Sequence, residues 1–184
     1  MAYTLCNTPG IVASATKKLS SAACLAFDCE RQNLGEGKGR LSVISLATLP
    51  GIDPHVYLFD AIALTSKQLE PVFKLLQSRD HTKIMFDGRM DFSQLYHYHK
   101  TCLTTVLDLQ LADVESRSRR GKGLNEQLQR LFPFVTRNET ARQQSSYTQI
   151  HRLNGLASCA KEHGVVACGN DAKPLEPSAS RTVF

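Results

Sequence analysis

The sequence predicts an α/β domain in which five short strands are interleaved with amphipathic helices. Two observations carry this. Apolar runs of strand length recur at residues 25–30, 40–48, 55–60, 83–87 and 104–107. Stretches with helical apolar spacing lie before, between and after them. A chain of 184 residues, 42% hydrophobic and 21% charged, is long enough for a real core and ordinary for a globular protein.

The first element is a helix opened by Thr8 as N-cap and Pro9 in the first turn, with Ile11, Val12, Ala15 and Leu19 at helical spacing. The strand Leu25-Ala26-Phe27-Asp28-Cys29-Glu30 follows. Side chains alternate along a strand, so Leu25, Phe27 and Cys29 face a core while Asp28 and Glu30 share the other face. Their α-carbons then lie roughly 6.5–7 Å apart, so both carboxylates can converge on one hard cation. The plain alternative is two solvated acids at a strand end. Asn33 to Gly39 is glycine-rich turn chemistry. Arg40–Thr48 returns as the hairpin partner, with Leu41 and Val43 on one face and Ile44 and Leu46 on the other. Residues 49–54 form a second turn, and His55–Asp60 is a third strand.

Thr65-x-x-Gln68 is a capping-box signature for a helix to about Gln77, with Leu69, Val72, Phe73 and Leu76 as its apolar stripe. Pro71 fits only early in that helix or at a kink. Lys83–Asp87 is a fourth strand that runs straight into Gly88-Arg89-Met90-Asp91, and Phe92, Leu95 and Tyr96 continue at helical spacing. Asp91 therefore sits in a first helical turn. The helix dipole favours an acid there. A strand-to-helix junction would equally lift it towards Asp28 and Glu30, and local pattern leaves both readings open. Thr104–Leu107 is the fifth strand, and Asp108 caps a helix through Leu109, Ala112 and Val114.

Ser116 to Gly123 reads as a basic, flexible loop. Leu124, Leu128 and Leu131 suggest a helix stopped by Pro133. Tyr147, Ile150, Leu153, Leu156 and Ala160 suggest a last helix with Gly155 inside it. From Cys168 onward apolar periodicity is lost. The expected organisation is one domain over residues 1–167 and a flexible tail over 168–184.

No apolar run approaches the ~20 residues of a membrane span, and the first ten residues lack a basic-then-apolar leader pattern. An intracellular protein, cytoplasmic or nuclear, with reduced thiols and no membrane partner is expected. Residues 115–164 carry nine Lys/Arg and four acids, so they account for the whole net charge of +5. Within them, Arg117, Arg119, Arg120 and Lys122 are the candidate nucleic-acid contacts. A basic segment beside an acidic site suits a protein that holds a phosphate backbone near metal ions. A solvated surface is the plain alternative.

Phe27-Asp28-Cys29-Glu30, then the glycine-rich turn, then Lys83 to Asp91 and Val106 to Ala112, resemble in order the motifs of the DEDD-type 3′–5′ exonuclease superfamily. The RNase D-related, Egalitarian-like exonuclease domains are the most similar branch. The resemblance runs from about Thr4 to Gly164. It implies an RNase H-like fold whose mixed five-stranded sheet joins a three-strand antiparallel meander to two parallel strands. It also implies Mg²⁺ or Mn²⁺ in a two-metal site and hydrolysis of RNA or single-stranded DNA from the 3′ end. Asp28, Glu30 and Asp91 would be catalytic metal ligands: Asp28 bridging the ions, Glu30 on the ion that activates water, Asp91 supporting the second. Asp87 fills a slot often held by Asn, and Arg31 stands where relatives usually have Gly.

The third family motif, a Tyr or His shortly before a final Asp, has no match. Tyr147 is followed at the required distance by His151, and neither His163 nor Asp171 has its partner. The expected activity of the chain is correspondingly doubtful. The alternatives are a catalytically inactive exonuclease-like module that binds RNA or a protein partner, and a C-terminally incomplete version of an active enzyme.

Overall fold

The computed structural model describes residues 2–32, 40–49 and 55–165. The glycine-rich turn, the turn before His55 and the expected tail lie outside them. The chain divides into two compact units, Met1–Leu153 and Asn154–Phe184. In the first, the strands are β1 (Ala2–Cys6), β2 (Cys24–Gln32), β3 (Arg40–Thr48), β4 (His55–Asp60), β5 (Thr82–Met85) and β6 (Val106–Asp108). The helices are α1 (Pro9–Leu19), α2 (Ser66–Gln77), α3 (Arg89–His99), α4 (Leu109–Arg119), α5 (Leu124–Gln129), α6 (Arg137–Arg142) and α7 (Gln144–Tyr147). The six strands form one mixed sheet in the order β1-β4-β3-β2-β5-β6.

The antiparallel meander β2-β3-β4 and the parallel strands β5 and β6 are the expected arrangement. One strand exceeds the expectation. β1 runs parallel to β4 from Ala2 opposite His55 to Cys6 opposite Phe59. Only Cys6 of its five residues is buried, so it has no alternating pattern to read. Pairing with a preformed edge makes it a strand.

The facing expected for β3 is corrected by a bulge. Glu30 lies opposite Val43 but Arg31 opposite Leu41, so Ser42 is an extra residue. A bulge shifts the side-chain phase by one, and Leu41 joins Ile44 and Leu46 in the core. The core cluster gathers Leu25 and Phe27 of β2, Phe59 of β4, Val12 and Leu19 of α1, and the α2 stripe Leu69, Val72, Phe73 and Leu76. The α2 capping box is present: Thr65 N–H donates to Gln68 Oε1 at 2.8 Å, and Gln68 N–H donates to Thr65 Oγ1 at 3.3 Å. Pro71 lies inside the helix with its ring exposed.

Lys83 is fully buried on β5, where its Nζ donates to the carbonyls of Ser78 at 2.6 Å and His81 at 2.7 Å. Burial lowers its pKa. These bonds close the α2–β5 turn from inside.

Two helical expectations change. The basic stretch is not a loop from Ser116: α4 continues through Arg119, because Asp113 pairs with Arg117 and Glu115 with Arg119 at i,i+4 spacing. The turn is confined to residues after it, with Gly121 at φ 74°. The expected last helix is two helices. In the second unit, α8 (Leu156–Glu162) starts after Gly155, which sits outside it in an extended conformation. Asn154 Nδ2 donates to Glu162 Oε2 at 2.9 Å there, and Gly164 at φ 68° ends the helix. Leu153 and Leu156 thus belong to separate segments.

The β5–α3 junction positions the acid of α3. Asp87 takes φ 54°, a left-handed conformation that Asp and Asn tolerate better than most residues. The Asp108 carboxylate accepts from Asp87 N–H at 3.2 Å, Gly88 N–H at 3.1 Å and Gln110 N–H at 2.8 Å. One side chain caps α4 and ties down the start of α3. Gly88 is packed closely enough that a Cβ would overlap the Met85 side chain. Asp108→Ala strands two junction N–H groups and removes a cap, so we expect a loss of about 1–3 kcal/mol in urea unfolding. Asp108→Asn, which keeps one acceptor oxygen, should recover part of it.

Candidate functional site

β2 presents its acids by simple alternation. Leu25, Phe27 and Cys29 are buried, and Asp28 and Glu30 between and beyond them are exposed. β2 pairs with β3 along its length but with β5 only from Cys24 to Ala26. Past Ala26 the side of β2 that β5 had covered is released, and α3 begins there. Ligand sites in α/β sheets form outside the carboxyl ends of parallel strands, and Asp28 and Glu30 occupy that end of β2.

Asp91 lies in the first turn of α3 and is 9% exposed. Its carboxyl pKa is pushed up to about 6, first by burial and then by the negative charge of Asp28, with a smaller contribution from Glu30. The Arg31 guanidinium pulls the other way. The structure therefore brings Asp28, Glu30 and Asp91 into one electrostatic neighbourhood. Burial raises the pKa of the neighbouring Cys29 thiol, and the charge of Asp91 raises it further, which keeps that sulfur protonated and inert.

Two residues do more than the sequence reading assigns them, where Arg31 only stands in place of Gly and Asp108 only caps a helix. Arg31 Nη1 donates to Oε1 of Gln94 at 3.3 Å, and Arg31 Nη2 is buried without a partner among the described residues. Gln94 is 2% exposed and lies one turn beyond Asp91. A cation in place of a glycine thus reaches from β2 to α3 beside the acids. The signal available was the i,i+3 spacing of Asp91 and Gln94, which puts both on one helix face. The other contributor is Asp108, which reads locally as a helix cap and acts also on the junction before Asp91.

The basic candidates separate. Arg117 is 5% exposed, ion-paired with Asp113, and donates from Nη1 to the Arg152 carbonyl at 2.7 Å. Arg119 is exposed and pairs with Glu115 at 3.1 Å. Arg120 is exposed, bonded to Ser116 and within 3.8 Å of Asp113. Lys122 lines a cavity with Arg117. No helix among the described residues is long and apolar enough to cross a membrane.

Comparison with known proteins adds to this geometry. Residues 3–158 match the protein family described as 3′–5′ exonuclease. Trypanosoma brucei RNase D, solved with RNA U12, is 29% identical with a TM-score of 0.54, over 59% of this chain and 38% of its own. Escherichia coli RNase D is 19% identical with a TM-score of 0.58, over 96% of this chain and 39% of its own. The Aedes aegypti Nibbler EXO domain is 21% identical with a TM-score of 0.54, over 64% of this chain and 56% of its own. The chain spans less than two thirds of the length of each. No match is found among curated proteins. The sheet order, the helices around it and these likenesses agree on an RNase H-like fold, and the chain belongs to the DEDD-type 3′–5′ exonuclease superfamily.

Proposed function

We propose that this chain is a nucleic-acid-binding domain of 3′–5′ exonuclease type in which Asp28, Glu30 and Asp91 hold Mg²⁺ or Mn²⁺. The observation that carries the reading is geometric: Asp28 and Glu30 are exposed on one face of β2, and Asp91 sits in the first turn of α3, which Arg31 ties to β2 through Gln94; the raised pKa of Asp91, from burial first and Asp28 second, agrees with it. Burial and a neighbouring carboxylate both disfavour the ionised form, Arg31 offsets them only in part, and a divalent ion would relieve the remainder. The donors are all carboxylate oxygens, the chemistry Mg²⁺ and Mn²⁺ prefer. When bound, such ions supply Lewis-acid stabilisation of a reacting phosphodiester and make an attacking hydroxide available at neutral pH.

The residues divide the remaining work. Asp28 and Glu30 offer exposed carboxylates at the open end of β2. Asp91, held by α3 and its clamped junction, closes the set from the other side. Arg31 balances part of the negative charge and keeps Gln94 in place. Nucleic acid is the substrate class that fits, since trypanosomal RNase D was solved with an RNA and residues 115–164 are basic. RNA and single-stranded DNA are both accommodated by this reading.

A specific observation favours low turnover. No Tyr or His stands the required distance before an Asp after Asp91, and the Glu162 carboxylate is engaged by Asn154. Three carboxylates then hold metal, while the group that would orient water is missing. General acid–base assistance is typically worth about 10²–10⁴-fold. The chain therefore binds strands and metal but cleaves close to background.

Calorimetric titration of Mn²⁺ tests the metal reading. Wild type should bind, and Asp28→Ala/Asp91→Ala should bind at least about tenfold more weakly. Equal binding by the two would reject it. In parallel, end-labelled single strands with Mn²⁺ should be retained but scarcely shortened. Brisk 3′–5′ trimming lost in Asp28→Ala would show that another group completes the site.

Stability offers a metal-free check. Asp91 is held above its ordinary value of 3.8, at about 6, so the native state binds its proton more tightly than the unfolded chain. The stabilisation is fully present below about pH 4 and is lost as pH rises through about 6. Asp91→Asn measured in EDTA should therefore melt a few degrees above wild type near pH 7.5, with the gain disappearing near pH 4. A lower melting temperature at both values would contradict the assignment.

Strand binding should weaken with salt, because phosphate contacts release counterions. Arg119→Gln/Arg120→Gln should flatten that dependence if the exposed end of α4 touches the strand. Arg117 is a poor probe, since its removal leaves the buried Asp113 carboxylate without its ion pair.

A further inference from the structure

We propose that a basic cavity behind α4, separate from the three acids, is a binding site for a phosphate group of a nucleotide or nucleic-acid strand. The cavity has a volume of about 320 Å³ and is lined by Arg117, Lys122, Gln127, Arg130, His151 and Arg152, among others. Four of these side chains are cationic, and no acid is among its lining residues. Neither Asp28, Glu30 nor Asp91 contributes to it.

Its wall is built rather than incidental. Gln127 Nε2 donates to the carbonyls of Thr148 at 2.9 Å and Ile150 at 3.0 Å, which fastens the segment after α7 onto α5. Arg117 Nη1 fastens the same segment by bonding the Arg152 carbonyl at 2.7 Å. Arg117 is itself 5% exposed, yet its Nε is buried without a hydrogen-bond partner among the described residues. That nitrogen is enclosed, so Arg117 serves as the brace of the wall, and the other cationic side chains of the lining are Lys122, Arg130 and Arg152.

The cavity's size fits a phosphate group, and an aromatic ring outside its lining stands beside one of its arginines. A tetrahedral oxyanion satisfies several converging donors at once. Phe134 is 73% exposed, and the Arg152 guanidinium lies 5.6 Å from its ring centre. An exposed aromatic beside a phosphate-holding arginine is the pairing that lets a base stack next to its own phosphate. This inference deepens the nucleic-acid reading given above and is independent of the metal reading.

The test uses the full 184-residue chain in EDTA, so that its outcome is separable from metal binding. Inorganic phosphate, a nucleoside 5′-monophosphate and a fluorescent single-stranded oligonucleotide are titrated into wild type, Arg130→Gln/Arg152→Gln and, as a control for lost charge, Lys17→Gln/Lys18→Gln on α1, outside the cavity. We expect the Arg130/Arg152 variant to lose about tenfold or more in affinity for whichever probe binds wild type, and the control to lose far less. The oligonucleotide's salt slope should fall by about 1.4 if both arginines touch phosphate. Phe134→Ala should weaken the nucleotide and the oligonucleotide but not inorganic phosphate. A monophosphate that binds as well as the oligonucleotide identifies a nucleotide site; tighter oligonucleotide binding identifies a strand site. Absence of binding by all three probes at low salt, or equal binding by a folded Arg130/Arg152 variant as judged by circular dichroism, overturns the proposal.

Discussion

The structure depends on one strand doing two incompatible things. β2 is central in the sheet, with β3 on one side and β5 on the other, yet it carries two carboxylates. A central strand buried on both faces would have to desolvate them, which is strongly unfavourable for unpaired charge. The chain avoids this by keeping both acids on a face that is exposed, past Ala26 where the pairing with β5 ends. Leu25, Phe27 and Cys29 keep the opposite, core face continuous. The hairpin with β3 continues through that region and holds the acids on regular backbone, with the bulge at Ser42 keeping Leu41 in the core.

Asp91 completes the arrangement on different terms. It reaches the acids from a helix, so its position depends on the junction that launches α3. That junction contains a left-handed Asp87 and a glycine packed against Met85, and the Asp108 carboxylate gathers its free N–H groups. A strained turn is kept because a charged acceptor over-determines it. Burial first and the neighbouring Asp28 second raise the Asp91 pKa, so its ionised form is the less favoured one where the clamped junction holds it.

What the sequence revealed, and what it hid, follows from the range of the interactions involved. The alternation of β2, the capping box of α2 and its apolar stripe are short-range signals, and all are legible. β1 is hidden because its partner is β4, 53 residues away, and its own pattern is silent. The phase of β3 is hidden because a bulge is a property of two strands together. The end of α4 was misread because Ser-Arg-Ser-Arg-Arg looks loop-like, while Asp113 and Glu115 one turn earlier already supply partners for Arg117 and Arg119. Gly155 was misplaced because a helix and a helix–break–helix can share the same apolar spacing.

The basic segment carries that lesson into electrostatics. Net charge counts Arg117 and Arg119 equally, but their environments differ. Arg119 is a solvated surface pair, of the kind worth little. Arg117 is buried against Asp113 and braces the segment that delivers Arg152. Its charge is largely spent on Asp113, and what it contributes is architecture. The cavity's other cations are Lys122, Arg130 and Arg152. Only folding assembles them, so a run of basic letters and a basic cavity coincide in part: the run supplies the brace, Arg117, and one lining cation, Lys122, while Arg130 and Arg152 come from outside it.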